Sequence, residues 1–103
     1  MLLFVIQDSL RYSRLSNGAF DMTFKPLSNI WHIEPGSRPP SAEEIRRVLP
    51  LVDYHGVLID DQGRVLLKKP GMAIGLGAIA KGYAVDRAMA VLKTQGIKNA
   101  IIN

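Results

Sequence analysis

The sequence predicts an α+β fold, a mixed sheet with a β-hairpin and about three helices. Three observations carry this. Apolar residues recur at helical spacing near both ends of the chain, two short β-branched runs flank a glycine turn, and a capping signature opens a further helix. With 103 residues, 48% of them hydrophobic and 21% charged, the chain fits one small ordered unit and excludes a disordered tail. No linker, repeat period or low-complexity segment interrupts it.

The elements follow in order. Leu3, Ile6, Leu10 and Leu15 form a loose helical stripe over residues 2–15, and Asn17-Gly18 supplies the stop, since both residues tolerate the left-handed conformation. No capping residue precedes Leu2, so this helix reads as beginning mid-element. Residues 18–40 carry prolines at 26, 35, 39 and 40 and read as an ordered loop with a short extended piece, anchored in the core by Trp31. Ser41-Ala42-Glu43-Glu44 is a capping box, and the helix it opens runs to about Leu49 with Ile45, Val48 and Leu49 on its apolar face. Val57-Leu58-Ile59 and Val65-Leu66-Leu67 flank Asp60-Asp61-Gln62-Gly63, a hairpin signal. Met72-Ala73-Ile74 reads as another short strand. The longest helix starts near Ala78 and ends before Gly96, with one buried stripe of Ile79/Ala80, Tyr83/Ala84, Ala88 and Val91/Leu92. Asn99-Ala100-Ile101-Ile102 reads as a final strand, interrupted at Asn103.

Charge and composition narrow the function. The net charge is +4, with 13 Lys and Arg scattered and no patch denser than Arg46-Arg47 or Lys68-Lys69, which argues against a nucleic-acid face and leaves a small anionic ligand compatible. The absence of cysteine excludes disulfides, thiolate metal sites and a cysteine nucleophile. The opening run Met1–Ile6 lacks a basic start and is broken by Gln7-Asp8, so it is no secretion signal, and no run reaches membrane-spanning length. The chain reads as soluble.

Chemistry concentrates in Gly75-Leu76-Gly77-Ala78-Ile79-Ala80-Lys81-Gly82. Two glycines sit where an extended segment turns into a helix, permitting a tight turn and a close approach to the backbone. The free amides of the first helical turn suit phosphate. Lys81 opposes the helix dipole by roughly 0.3–1 kcal/mol, and its placement becomes favourable when an anion binds there. An ordinary surface lysine after a glycine turn is the plainer alternative. Gly75-x-Gly77-x-x-Ala80 also matches a relaxed dinucleotide-binding fingerprint, but Asn103 stands where that fingerprint wants an acidic residue, and the preceding hairpin suits a parallel sheet poorly. The stretch Asn17–Leu27 places Asp21 and Thr23 two residues apart in a glycine-started loop, which in isolation reads as a loop tied to its own backbone. His32 and His55 lack ligand-spaced partners, and Asp60-Asp61 is most simply turn chemistry.

Taken in order, these pieces resemble the ApbE-like flavin transferases. Gly18-Ala19-Phe20-Asp21-x-Thr23, with Pro26-Leu27 and Trp31, resembles a first signature. Pro39-Pro40, Glu43-Glu44-Ile45 and Val52-x-Tyr54 are similar to the middle section, and Leu76-Gly77-Ala78-Ile79-Ala80-Lys81-Gly82-Tyr83-Ala84-Val85-Asp86 resembles the most specific signature. The resemblance implies a Mg2+-dependent FAD:protein FMN transferase that attaches FMN by a phosphoester to a Thr or Ser of a target protein and releases AMP. It implies membrane redox-complex subunits as targets, and a periplasmic or lipid-anchored setting. Residues 1–103 would be the central part of one transferase domain, cut at both ends. Ala19, Phe20 and Asp21 would line the FAD site, Ala78 would offer a backbone carbonyl to the metal, and Lys81 would contact the cofactor. Gly75 departs from the pattern, which carries an acidic residue there. That departure and the missing segments imply a chain that is inactive and binds FAD weakly by itself. A non-catalytic remnant completed by another chain, or one prone to self-association through its exposed edges, is the second reading, and a dinucleotide-binding module the third.

Overall fold

The computed structural model describes residues 1–32 and 34–103 and has the α+β composition expected. Helix α1 spans Leu2–Leu15 and turns Val5, Ile6, Ser9, Leu10 and Ser13 inward. The two buried serines satisfy their hydroxyls on their own helix, Ser9 donating to the Val5 carbonyl at 2.7 Å and Ser13 to the Ser9 carbonyl at 3.1 Å. No side chain caps its N-terminus. The stop is as expected: Asn17 and Gly18 both adopt positive φ, 50° and 80°, and the Gly18 amide returns to the Ser13 carbonyl at 2.8 Å.

The segment expected to be irregular contains a helix, α2 at Lys25–Ile30, with Pro26 buried in its first turn. Proline there is favourable because the missing amide would be unpaired anyway and φ is already helical. Trp31, expected in the core, is 45% exposed at the end of α2. The capping box forms as read. In α3, Ala42–Val48, Glu44 donates its amide to Ser41 Oγ at 3.2 Å while the Ser41 amide donates to Glu44 Oε2 at 2.7 Å. A single 3-10 turn, Leu49–Leu51, follows it.

The hairpin pairs β1, Val57–Ile59, with β2, Val65–Leu67, antiparallel in the register Val57–Leu67, Leu58–Leu66 and Ile59–Val65. Its turn is organised by Asp60, whose carboxylate accepts from the Gln62 and Arg64 amides at 2.9 and 2.8 Å and from Arg64 Nε at 2.6 Å. Those bonds, the Arg64 amide first among them, hold the Asp60 carboxyl below its usual range. Asp60 is therefore turn chemistry, as read.

The expected mixed sheet is realised, among the described residues, as this hairpin alone. Residues 72–74 and 99–102 form no regular element and join no ladder among the described residues. A strand is a paired state, and these segments meet no partner edge within the chain. Helix α4 spans Gly77–Thr94 and buries none of its residues, so the expected stripe is only half-covered, at Ile79, Ala80, Tyr83 and Leu92. Its main contact is α1, where the Phe4 and Tyr83 rings lie 5.3 Å apart.

The core is Ile6, Leu10, Met22 and Val57, ringed by Phe20, Tyr54, Ile59, Leu67, Ile74 and Leu76. Outside it the chain is spread open. A folded monomer of 11.4 kDa exposes about 5,800 Å2, whereas this chain exposes 7688 Å2. Among the described residues, no helix is long and apolar enough to cross a membrane.

Candidate functional site

The loop after α1 is shaped by one carboxylate. Asp21 Oδ1 accepts from the Thr23 amide at 2.7 Å and from the Thr23 hydroxyl at 2.6 Å. Asp21 Oδ2 accepts from the Tyr54 amide at 3.0 Å, across 33 residues of sequence. The Thr23 hydroxyl, fully buried, accepts in turn from the Asp53 amide at 2.7 Å. No buried side-chain polar atom of this network lacks a partner, which is what a buried network requires if it is to stabilise. The plain reading of Asp21 and Thr23 as loop-tying residues is thus realised, with one addition: they tie the loop to residues 53–54 as well as to itself. Sequence reasoning missed Asp53 and Tyr54 as partners, because no local pattern marks a contact 30 residues away.

Beside this network lies a small surface cluster. His55 Nδ1 sits 2.9 Å from Asp53 Oδ1, and its ring stacks on Tyr54 at 4.0 Å. The hydrogen bond from His55 keeps the Asp53 carboxyl below its ordinary value of 3.8. Both histidines are exposed.

The glycine stretch packs directly against the Asp21 loop. The Gly75 amide donates to the Met22 carbonyl at 2.7 Å, and the Phe24 ring lies over Gly75. Neither Gly75 nor Gly77 has positive φ, so the tight turn expected to need them does not. Closeness to a neighbour accounts for Gly75 but not for Gly77. A Cβ on Gly75 would strike Phe24, whereas a Cβ on Gly77 would meet nothing within 4 Å. Gly77 thus leaves open backbone at the start of α4, where no side chain caps the first-turn amides. Such a terminus suits a close anionic partner.

Phe20 and Ala78, from the two stretches, line one open groove of about 530 Å3 together with Tyr12, Leu15, Ser16 and Ile79. A second groove, about 520 Å3, runs between α1 and α4 past Asp8, Gly82 and Asp86 and shares Tyr12, Ala78 and Ile79 with the first. Ala19 lies in the helix-stop turn, its amide bonded to the Ser16 carbonyl, and lines neither groove. Because α4 begins at Gly77, Lys81 stands at its fifth position, at the start of the second turn and not in the first as read from sequence. It is exposed, and among the described residues it forms no ion pair.

A model of the ApbE family matches residues 1–103. The chain belongs to the ApbE family. An FAD:protein FMN transferase of Klebsiella pneumoniae is 38% identical over 101 residues, covering 96% of this chain and 32% of its own length. One of Vibrio cholerae is 34% identical over 106 residues, 97% of this chain and 30% of its own. Among solved structures, the ApbE protein of Thermotoga maritima superposes with a TM-score of 0.78 at 38% identity, covering 89% of this chain and 31% of that one. The flavin transferase ApbE of Vibrio cholerae gives 0.82 at 32% identity, covering 94% and 32%. The chain thus spans about a third of the length of the curated relatives it matches.

Membership of the ApbE family raises the question of Mg2+. Magnesium wants a near-octahedral set of oxygens, usually including a carboxylate. Among the described residues no three His, Cys, Asp or Glu side chains gather in a metal-holding group, and Ala78 offers only a backbone carbonyl. These residues do not fit a magnesium site by themselves.

Proposed function

We propose that this chain forms part of the FAD site of a transferase that moves FMN from FAD onto a Thr or Ser hydroxyl of a target protein. In that reaction the hydroxyl oxygen bonds to the FMN phosphorus, the pyrophosphate bond breaks, and AMP leaves. Family membership and the names of the relatives support the chemistry. The observation that carries the reading for this chain is the 2.7 Å bond from Gly75 to the Met22 carbonyl, which brings its two signatures side by side.

Each expected site residue has a task. Phe20 and the backbone at Ala78 border the groove, and the open backbone of Gly77 admits a phosphate to the helix start. Lys81 supplies positive charge toward the same end of α4, where attack on a diphosphate needs charge neutralised. Asp21 acts by holding the loop in shape, and Ala19 precedes it in the turn that ends α1. The family's target class, a membrane redox-complex subunit, is the acceptor proposed, and Mg2+ enters as an assay component.

A second reading has an observation of its own. The chain exposes roughly 1,900 Å2 more than its mass calls for, about the area of a substantial interface, which favours a unit completed by further polypeptide. On that reading the isolated chain releases no AMP from FAD.

Thermal melts with and without millimolar FAD and Mg2+ test the proposal. Ligand binding to the folded state raises the midpoint by mass action. FAD should raise it by a few degrees, and Lys81→Ala should remove the rise while leaving the ligand-free melt unchanged. A rise with NADH and none with FAD would sink the flavin reading in favour of a dinucleotide-binding module.

A further inference from the structure

Gly75 is required by a neighbour and not by its backbone. Its φ lies outside the left-handed region, so an alanine could adopt the same conformation. The obstacle is Phe24: a Cβ at residue 75 would lie 2.7 Å from Phe24 Cε1 and 2.9 Å from Cζ, inside any tolerable carbon–carbon contact. Gly75 is also tied to the same loop by its amide, bonded to the Met22 carbonyl. Residues 22 and 24 therefore hold Gly75 from two directions, one by a hydrogen bond and one by an aromatic ring.

Phe24 itself is 41% exposed, so burial in the core does not account for its place. It precedes α2, whose first turn is fixed by the buried Pro26. A ring in that position can leave Gly75 only by rotating outward into solvent or by carrying the loop with it.

We propose that the Phe24 ring and the bare backbone of Gly75 form one positioning unit that sets how closely the 19–24 loop approaches the start of α4. It thereby sets the width of the groove between Phe20 and Ala78. Phe24 is a positioning residue, and its consequence for ligand rests on the flavin reading above. The unit also fixes what the site can present at residue 75. With the ring in place no side chain fits there, so any recognition at this edge comes from an apolar ring and from backbone, not from a carboxylate or hydroxyl.

A double-substitution cycle with two readouts tests this. Gly75→Ala should lower the melting midpoint by a few degrees, because the Phe24 ring must move aside. Phe24→Val, which lacks the ring atoms in conflict, should restore at least half of that loss when combined with Gly75→Ala. Losses that simply add would overturn the coupling. The second readout is the shift produced by FAD. In the double variant the fold recovers but the shift should stay lost, whereas Phe24→Tyr, which keeps the ring, should retain it. A full FAD shift in the stable double variant would overturn the positioning role. Absence of any FAD shift in the unsubstituted chain would defeat the flavin reading, and the melts alone would still decide the coupling.

Discussion

Residues 1–76 and residues 77–103 of this chain are built in different ways. The first region encloses the core of Ile6, Leu10, Met22 and Val57 and closes it with a polar network in which Asp21, Thr23, Asp53 and Tyr54 satisfy one another. The second region is a helix and an irregular tail with no fully buried residue; Ile101 is 91% exposed. Yet α4 is no less apolar than α1, although its apolar residues are less sharply confined to one face. The difference is therefore one of partners. α1 shares a buried cluster with the loop and hairpin, whereas the main contact of α4, among the described residues, is α1. A helix apolar on most of its faces calls for cover on most of them, and here the demand outruns what the described residues provide.

Substitutions can break this contrast. The largest effect belongs to the first region. Asp21→Ala would strip partners from the buried Thr23 hydroxyl and from the Tyr54 amide, each worth about 1–3 kcal/mol when left unsatisfied. A loss of about 3 kcal/mol in urea unfolding is expected, large against the 5–15 kcal/mol typical of a domain. A loss under 1 kcal/mol would mean that the network is decorative. The smallest effect belongs to the second. Val91 is 57% exposed on α4, so Val91→Ser should change stability by less than about 0.5 kcal/mol in the same assay. A loss above about 2 kcal/mol, dependent on protein concentration, would show that α4 is covered by a second copy in solution and would erase the contrast.

The same contrast explains what the sequence could and could not reveal. Ser41–Glu44, the Asp60 turn and the Asn17-Gly18 stop depend on neighbours within five residues, and all three were legible. Helix α2 was hidden because Pro26 and the prolines after the helix all suggest a loop, although Pro26 in a first helical turn was the available signal. Residues 72–74 and 99–102 have strand character, but a strand is decided by a partner edge, which the sequence of this chain does not supply. Trp31 failed for the opposite reason: its size suggested a core, and its place after α2 leaves it 45% exposed. In the candidate site, Phe20, Ala78 and Lys81 come from the resemblance, and the structure brings Phe20 and Ala78 to one groove. The roles of Tyr54 and Phe24 were not legible, since both act across long sequence separations.

The central claim is that the Asp21 loop and the start of α4 form one site for FAD. Hydrogen–deuterium exchange of the chain, with and without millimolar FAD and Mg2+, tests it most directly. The account predicts that FAD slows exchange in residues 19–24 and 77–82 together, and leaves the amides of α1 around Ile6 and Leu10 unchanged. Slowing in neither segment, or in only one of them, would contradict it.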